Sequence, residues 1–384
     1  MSTQFANWSY PTAVKFGVGR VAELAGHCAA AGISRPLLVT DRALARLPIT
    51  EQALAVLEAA GLGRSLFSGV DTNPTEINLA EGIAAYCAGS HDGVVGFGGG
   101  SALDLAKLIA LMAGQRAELS VWDLEDVGDW WTRADAGAIA PIVAVPTTAG
   151  TGSEVGRAGV LTNSTTHRKV IVFHPRLMPA VTLCDPALTV GMPRFITAGT
   201  GMDALAHCLE AYCSPHFHPM SQGIALEGMR LVLDNLPTVY AVPGDLEARG
   251  QMMAAAAMGA VAFQKGLGAI HALSHPVGAV YGTHHGTTNA CVMPMVLEFN
   301  RPAIEEKMDR AAAYLGIAGG LDGFLDVVME LRAAFDIPPS LGAMGVTAEA
   351  LPRLTEMALQ DPSCGGNPVT MTRETTRALF EACL

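Results

Sequence analysis

Through its first half the chain alternates short apolar, β-rich runs with stretches of helical periodicity. Runs at Ala13 to Val18, Pro36 to Thr40, Arg64 to Phe67, Gly93 to Phe97 and Ile142 to Val145 predict strands. Helical patterns lie between them, one ending near Ala31, one over Gln52 to Ala60, one from about Thr75 to Ala88 and one from about Leu103 to Ala113. Parallel neighbours need a crossover between them, so strands that alternate with helices of this length indicate a mostly parallel sheet. Ligands of such sheets bind outside the carboxyl ends of the strands.

After Met192 and Pro193 the strand-like alternation stops. Long helical patterns follow over Gly199 to Cys213, Met220 to Asn235, Leu246 to Phe263, Arg301 to Leu315, Leu321 to Phe335, Ala348 to Leu359 and Arg373 to Cys383. They predict an α/β domain over residues 1–193 and an all-helical domain over 194–384. A length of 384 residues fits two such domains. The Met-rich stretch QMMAAAAMGAVAF reads as close helix packing, because Ala and Met fill tight gaps.

Composition narrows the classes. Half of the residues are apolar and 16% are charged, which excludes disorder. The net charge is -12 and no basic run occurs, so nucleic acid and anionic membrane are excluded as partners. The 8 cysteines form no CxxC pair and read as reduced thiols. The opening MSTQFANWSYPT has no basic segment followed by an apolar one, and no apolar run is long enough to span a bilayer. A cytoplasmic protein is expected.

Candidate chemistry is densest between Ala262 and Pro294, where His271, His275, His284 and His285 fall within fifteen residues. Neutral imidazole is a common ligand for transition metals. His271 and His275 are spaced i, i+4 and share one face if Ala269 to Val280 is helical. Upstream, TGMDALAHCLEAY puts Asp203 and His207 at the same spacing. One carboxylate with three imidazoles suits Fe(II) or Zn(II) and not Mg or Ca, which prefer oxygen. His216 and His218, in SPHFHPM, read as a solvated loop.

Two turns in the first half suit a nucleotide. DGVVGFGGGSALDLAK runs from a strand through Gly98, Gly99, Gly100 and Ser101 into a helix, where backbone N–H groups and the positive helix end face a phosphate. It does not match G-x-G-x-x-G, and the acidic candidate for ribose, Asp41, precedes it in the sequence. A carboxylate there favours NAD over NADP by repelling a 2′-phosphate. PTTAGTGSEV, Pro146 to Val155, supplies hydroxyls at Thr147, Thr148, Thr151 and Ser153 for a second wall.

Taken jointly, GGGSALDLAK, PTTAGTGSEV and HALSHPVGAVYGTHHG resemble the iron-containing (group III) alcohol dehydrogenase family. The resemblance covers nearly the whole chain, from FGVGRVAEL through NPT at Asn73 to CDPALT and TGMDALAHCLEAY. It implies a dehydroquinate synthase-like architecture, a dinucleotide-binding α/β domain followed by a helical metal-binding and catalytic domain, with the cleft between them. It implies a metal held by Asp203, His207, His271 and His285, and His275 near the nicotinamide as a proton-moving residue. It implies cofactor contacts at Asp41, Asn73, Gly99, Gly100, Ser101, Asp104, Thr147, Thr148, Thr151, Lys169 and Leu188. The residue before the last ligand is often Pro in the family and is His284 here; the fourteen-residue spacing from His271 favours His285 as the ligand.

The activity implied is hydride transfer between a small primary alcohol and NAD, with Fe(II), or Zn, as Lewis acid on the substrate oxygen and a homodimer as the assembly. Alternatives are another polyol or hydroxy-acid dehydrogenase or a lyase on the same fold, and a non-catalytic nucleotide- or metal-binding protein. Gly156, Phe263, the surroundings of Trp131 and, if it points inward, Lys265 are the expected pocket walls.

Overall fold

A computed structural model describes residues 10–384. The chain divides into two compact units, one comprising Tyr10–Thr148 and Gly152–Gly191, the other Ala149–Thr151 and Met192–Leu384 among the described residues.

The first unit is built on a parallel sheet. Its strands are β1 (Ala13–Phe16), β2 (Pro36–Asp41), β3 (Leu66–Val70), β4 (Gly93–Gly98), β5 (Ile142–Pro146) and, after a β6–β7 hairpin (Ala158–Thr162 and Lys169–Phe173), β8 (Val181–Cys184). The order across the sheet is β1-β8-β5-β4-β2-β3, with every pairing parallel, and the hairpin is a separate antiparallel pair. Helices α1 (Leu24–Ala30), α2 (Pro48–Ala59), α3 (Glu76–Ala88) and α4 (Gly100–Met112) supply the crossovers.

Successive side chains of a strand point to opposite faces, and both faces are covered here. Leu38, Val95, Phe97, Val143 and Val145 pack with Leu24, Cys28, Ala53 and Leu57 of α1 and α2. Val39, Val94 and Ile142 pack with Leu79 of α3, Leu105 and Ile109 of α4, and Leu161 and Val172 of the hairpin. That double burial is why these strands read as continuous apolar runs.

The hairpin and β8 are absent from the strands that the hydrophobic pattern predicts. VTLC is four residues, all buried, and a run that short carries no period. KVIVF alternates in burial while Val170 and Ile171 are both apolar, so its alternation is hidden in sequence. β3 is Leu66–Val70 rather than Arg64 to Phe67, since Arg64 is drawn out of the run to pair with Glu51 and Glu58. EDVGDWW anchors a loop: Glu125 pairs with Arg168 at 2.7 Å, and the Arg133 guanidinium lies 4.1 Å from the Trp130 ring centre.

The second unit holds α5 (Arg194–Cys213), α6 (Pro219–Ala241), α7 (Leu246–Ala262), α8 (Ala269–Tyr281), α9 (His285–Leu315), α10 (Gly320–Ala334), α11 (Leu351–Leu359) and α12 (Arg373–Cys383). α5 is its axis: every residue from Thr197 to Cys213 is buried, against α6, α7 and α9. A helix apolar and small on all sides belongs in a core. α9 starts 16 residues before the predicted Arg301 and runs through Pro294 and Pro302. Pro302 reads as a first-turn proline in sequence, whereas packing against α5 and α10 carries the helix across both prolines. His218 is buried and caps α6, its Nδ1 accepting the Ser221 N–H at 3.1 Å, which corrects the solvated-loop reading; His216 is exposed.

Candidate functional site

At the carboxyl edge of the sheet, β4 turns into α4 through Gly98, whose φ is 151° and whose added Cβ would sit 2.7 Å from the Ala102 Cβ. Only glycine takes that turn without strain. Gly99 caps α4, so the first N–H groups of the helix at Gly100 and Ser101 have no partner within it. Ser101 Oγ donates to the Thr72 carbonyl at 2.6 Å, tying the turn to the loop that carries Asn73. The Thr147 N–H donates to the Gly98 carbonyl at 3.0 Å, and a Cβ on Gly99 would lie 3.2 Å from Thr148 Cγ2. Asp41 ends β2, its Oδ1 accepting the N–H groups of Ala43 and Leu44 at 2.9 and 2.8 Å.

The structure thus gathers Asp41, Asn73, Gly99, Gly100, Ser101, Thr147 and Thr148 on the ends of neighbouring strands. The other expected cofactor residues are held by other elements, Lys169 opening β7 opposite Thr162, which bridges to Thr75 beside the Asn73 loop. Asp104 holds the PTTAGTGSEV loop and the hairpin to α4, accepting from Ser153 Oγ at 2.5 Å and from the Val160 N–H at 3.1 Å. Burial raises its carboxyl above the ordinary range, against the pull of Lys107 and, more weakly, of Lys169. Leu188 is buried on the sheet face that α1 and α2 cover. Thr151 belongs to the helical unit. Its neighbour Gly150 lies against α5 so closely that a Cβ there would be 2.8 Å from the Thr200 carbonyl oxygen.

The second site lies within the helical unit. From the Asp203 Oδ1, the Nε2 atoms of His207, His271 and His285 are 3.8, 3.7 and 3.4 Å away. Ligand atoms of Asp203, His207 and His271 all lie within 4.8 Å of one another, and these three residues are buried. Donors about 2.0–2.2 Å from one ion stand roughly 3.4 Å from each other when tetrahedral, so the set fits a borderline-soft divalent metal. Local structure explains the convergence. Asp203 and His207 are one turn apart on α5, His271 is in the first turn of α8, and His285 opens α9.

The electrostatics match a cation site. Burial alone would raise the Asp203 carboxyl, but the imidazoles of His207, His285 and His271 hold it well below the carboxylate range. Burial pushes His207 down to about 4, despite Asp203. Burial opposes the charge of His271, but Glu210 and Asp203 hold it up at about 10. His284 caps α9, its Nδ1 accepting the Thr287 N–H at 3.4 Å.

Residues that the motif reading leaves out complete the site. Glu210 accepts from the Ile270 N–H at 2.6 Å and lies 2.5 Å from His271 Nδ1, fixing the ring. Its signal was present: Asp203, His207 and Glu210 fall at i, i+4 and i+7 on an otherwise apolar helix. Asn289 donates from Nδ2 to Asp203 Oδ1 at 2.8 Å. Asp361, with no sequence signal, lies 2.8 Å from His275 Nδ1. Lys265 is no free wall residue, as its Nζ donates to the Tyr212 carbonyl at 2.8 Å at the end of α5.

A parallel α/β unit with a glycine-rich strand-to-helix turn, and a helical unit with one carboxylate and three imidazoles on one centre, define an alcohol-dehydrogenase-type oxidoreductase. The sequence profile described as iron-containing alcohol dehydrogenase matches residues 11–186, and that of the C-terminal part of the Fe-containing alcohol dehydrogenase family matches 197–384. The 4-hydroxybutyrate dehydrogenase of Cupriavidus necator is 38% identical over 381 residues, covering 97% of this chain and 98% of that protein. The 1,3-propanediol dehydrogenase of Klebsiella pneumoniae is 33% identical over 391 residues, covering 99% of each. A crystal structure of a 1,3-propanediol oxidoreductase superposes with a TM-score of 0.93 at 32% identity, covering 99% of this chain and 100% of that one. The chain belongs to the iron-containing alcohol dehydrogenase family.

Proposed function

We propose that the protein is an iron-dependent, NAD-linked dehydrogenase for a short primary alcohol with a second polar terminus, of the 4-hydroxybutyrate or 1,3-propanediol kind. The observation that carries this reading is the set of one carboxylate and three imidazoles around Asp203 Oδ1, with Asp203, His207 and His271 buried and His285 partly exposed. Bound there, Fe(II), or Zn(II) in its place, supplies Lewis acidity towards the substrate oxygen, while NAD supplies the hydride acceptor. The substrate class rests on the similarity to 4-hydroxybutyrate and 1,3-propanediol dehydrogenases, since both alcohols are short chains with an oxygen function at the far end.

In this reading Asp203, His207, His271 and His285 hold the ion, and Glu210 orients His271. Gly99, Gly100, Ser101 and the first turn of α4 receive the pyrophosphate. The Oδ2 of Asp41, with no hydrogen bond among the described residues, accepts from ribose, and Asn73, Thr147 and Thr148 line the rest, with Asp104, Lys169 and Leu188 supporting them. His275 takes the hydroxyl proton. The assembly is a homodimer in the cytoplasm; β1 supports a pairing edge, since it ends the sheet and exposes Val14 and Phe16.

The test is NADH oxidation by metal-stripped protein, with Fe(II) or Zn(II) restored anaerobically, against three- and four-carbon aldehydes with carboxyl, hydroxyl or no substituent at the far end. Fe(II) should restore turnover, and the substituted aldehydes should exceed the plain ones by about ten-fold or more in kcat/KM. Turnover without metal sinks the metal reading; a preference for the plain aldehydes sinks the substrate class.

A further inference from the structure

The segment from Asp361 to Asn367, reading DPSCGGN between α11 and α12, forms a strap across α8 and is fastened at both ends. At its far end Asn367 Oδ1 accepts the Ala269 N–H at 3.0 Å, in the first turn of α8, and Asn367 and Asn300 exchange two side-chain bonds of 2.8 Å. At its near end Asp361 uses both oxygens. Oδ1 accepts the Ser363 N–H at 2.9 Å, which fixes the carboxylate, and Oδ2 lies 2.8 Å from Nδ1 of His275. The Asp361 side chain is 7% exposed and that of His275 14%.

We propose that Asp361 is a positioning residue for the reaction: it keeps the proton of His275 on Nδ1, so that Nε2 is the acceptor for the proton released by the alcohol. Three observations carry this. The carboxylate already has one oxygen committed to backbone, so it cannot swing away from the ring. As an acceptor, the other oxygen selects the tautomer with hydrogen on Nδ1. The His275 ring is then locked in the cluster, stacked on His285 with centroids 5.2 Å apart and 14° between planes, and edge-on to His271 at 5.6 Å. His275 Nε2 makes no hydrogen bond to a described residue and stays open to a donor.

The proposal rests on the reading of His275 as proton acceptor. In alcohol oxidation the carbinol C–H bond breaks with its electron pair passing as hydride to the nicotinamide, and the O–H proton goes to His275 Nε2. The aldehyde and NADH remain, and the imidazolium later releases its proton to solvent. Asp361 stays ionised throughout and opposes the positive charge formed on the ring, the role an orienting carboxylate plays beside a catalytic histidine elsewhere.

The experiment compares Asp361→Asn, Asp361→Glu and His275→Ala in the metal-loaded full chain, measuring kcat, KM, solvent isotope effect, bound metal and thermal midpoint. An amide can donate to Nδ1 and so allow the wrong tautomer. Asp361→Asn should therefore lower kcat by about 100-fold or more with KM changed less than about three-fold, metal content intact and the solvent isotope effect raised. Asp361→Glu should recover at least about ten-fold of that loss, because it restores the carboxylate. Normal kcat in Asp361→Asn beside a crippled His275→Ala overturns the role of Asp361. Normal kcat in His275→Ala overturns the proton-acceptor reading beneath it. Loss of metal or of the folding transition in both Asp361 variants assigns the carboxylate to the strap's fold and overturns the proposal too.

Discussion

Glu210 and Glu154 are both buried carboxyls, and their surroundings give them opposite tasks. Glu210 is fully engaged by the Ile270 N–H and the His271 ring. Outer partners of this kind are worth about 10–100-fold in metal affinity. Glu210→Gln should lose affinity on that scale in a chelator competition; an unchanged constant would show that the α8 backbone orients His271 unaided. Glu154 is raised from 4.5 to about 7 by burial, against a bond from its own backbone and the charge of Lys107. Between these values the folded chain keeps a proton that the unfolded chain has released, so stability falls as pH rises through 4.5 to about 7 and is level above. Glu154→Gln should flatten that slope, gaining up to about 3 kcal/mol at pH 8 relative to pH 4. Parallel urea stability curves for the two proteins across this window would contradict the assignment.

Helix contacts decide whether such residues meet. The first turn of α9 packs onto α5 through Gly286, where a Cβ would lie 2.0 Å from the Gly199 carbonyl oxygen and 2.9 Å from the Asp203 Cβ. The clash is with backbone, so the helices must part. Gly286→Ala is expected to cost roughly 1–3 kcal/mol and to draw His285 away from Asp203, seen as a lower urea midpoint together with lost metal. Gly223, exposed in α6 with nothing within 4 Å of an added Cβ, is the control. Gly223→Ala should stabilise by about 0.5–1 kcal/mol, as alanine is the better helix former. Should both variants bind metal like the parent, the close contact is not what sets the cage.

At the scale of the molecule, every proposed metal ligand lies in the helical unit, while the glycine-rich turn lies in the α/β unit. A metal that binds only the folded chain stabilises it by about 2.7 kcal/mol at 100 times its dissociation constant. Stripping the metal should therefore lower the melting midpoint of the helical unit by roughly 5–10 °C, with Fe(II) restoring it. Calorimetry of the two forms checks this, and coincident traces would remove the ion from the stability of that unit.

Much of this was legible in the sequence. The doubly covered strands announced themselves as apolar runs, Asp203 with His207 and His271 with His275 sat in helical spacing, and the glycine-rich turn announced α4, which starts three residues before the expected Leu103. These are local properties, set by period, turn chemistry and residue type. What depends on contacts across long separations was hidden. Asp361 reaches His275 over 86 positions, Asn289 reaches Asp203 over 86, and α9 crosses two prolines because neighbouring helices hold it. By itself the sequence determined which residues are able to ligate, turn or pair, since that is chemistry each side chain carries alone. Only the tertiary structure decided which are oriented to do so, because a hydrogen bond or a metal edge is fixed to a few tenths of an ångström by packing that no local pattern records.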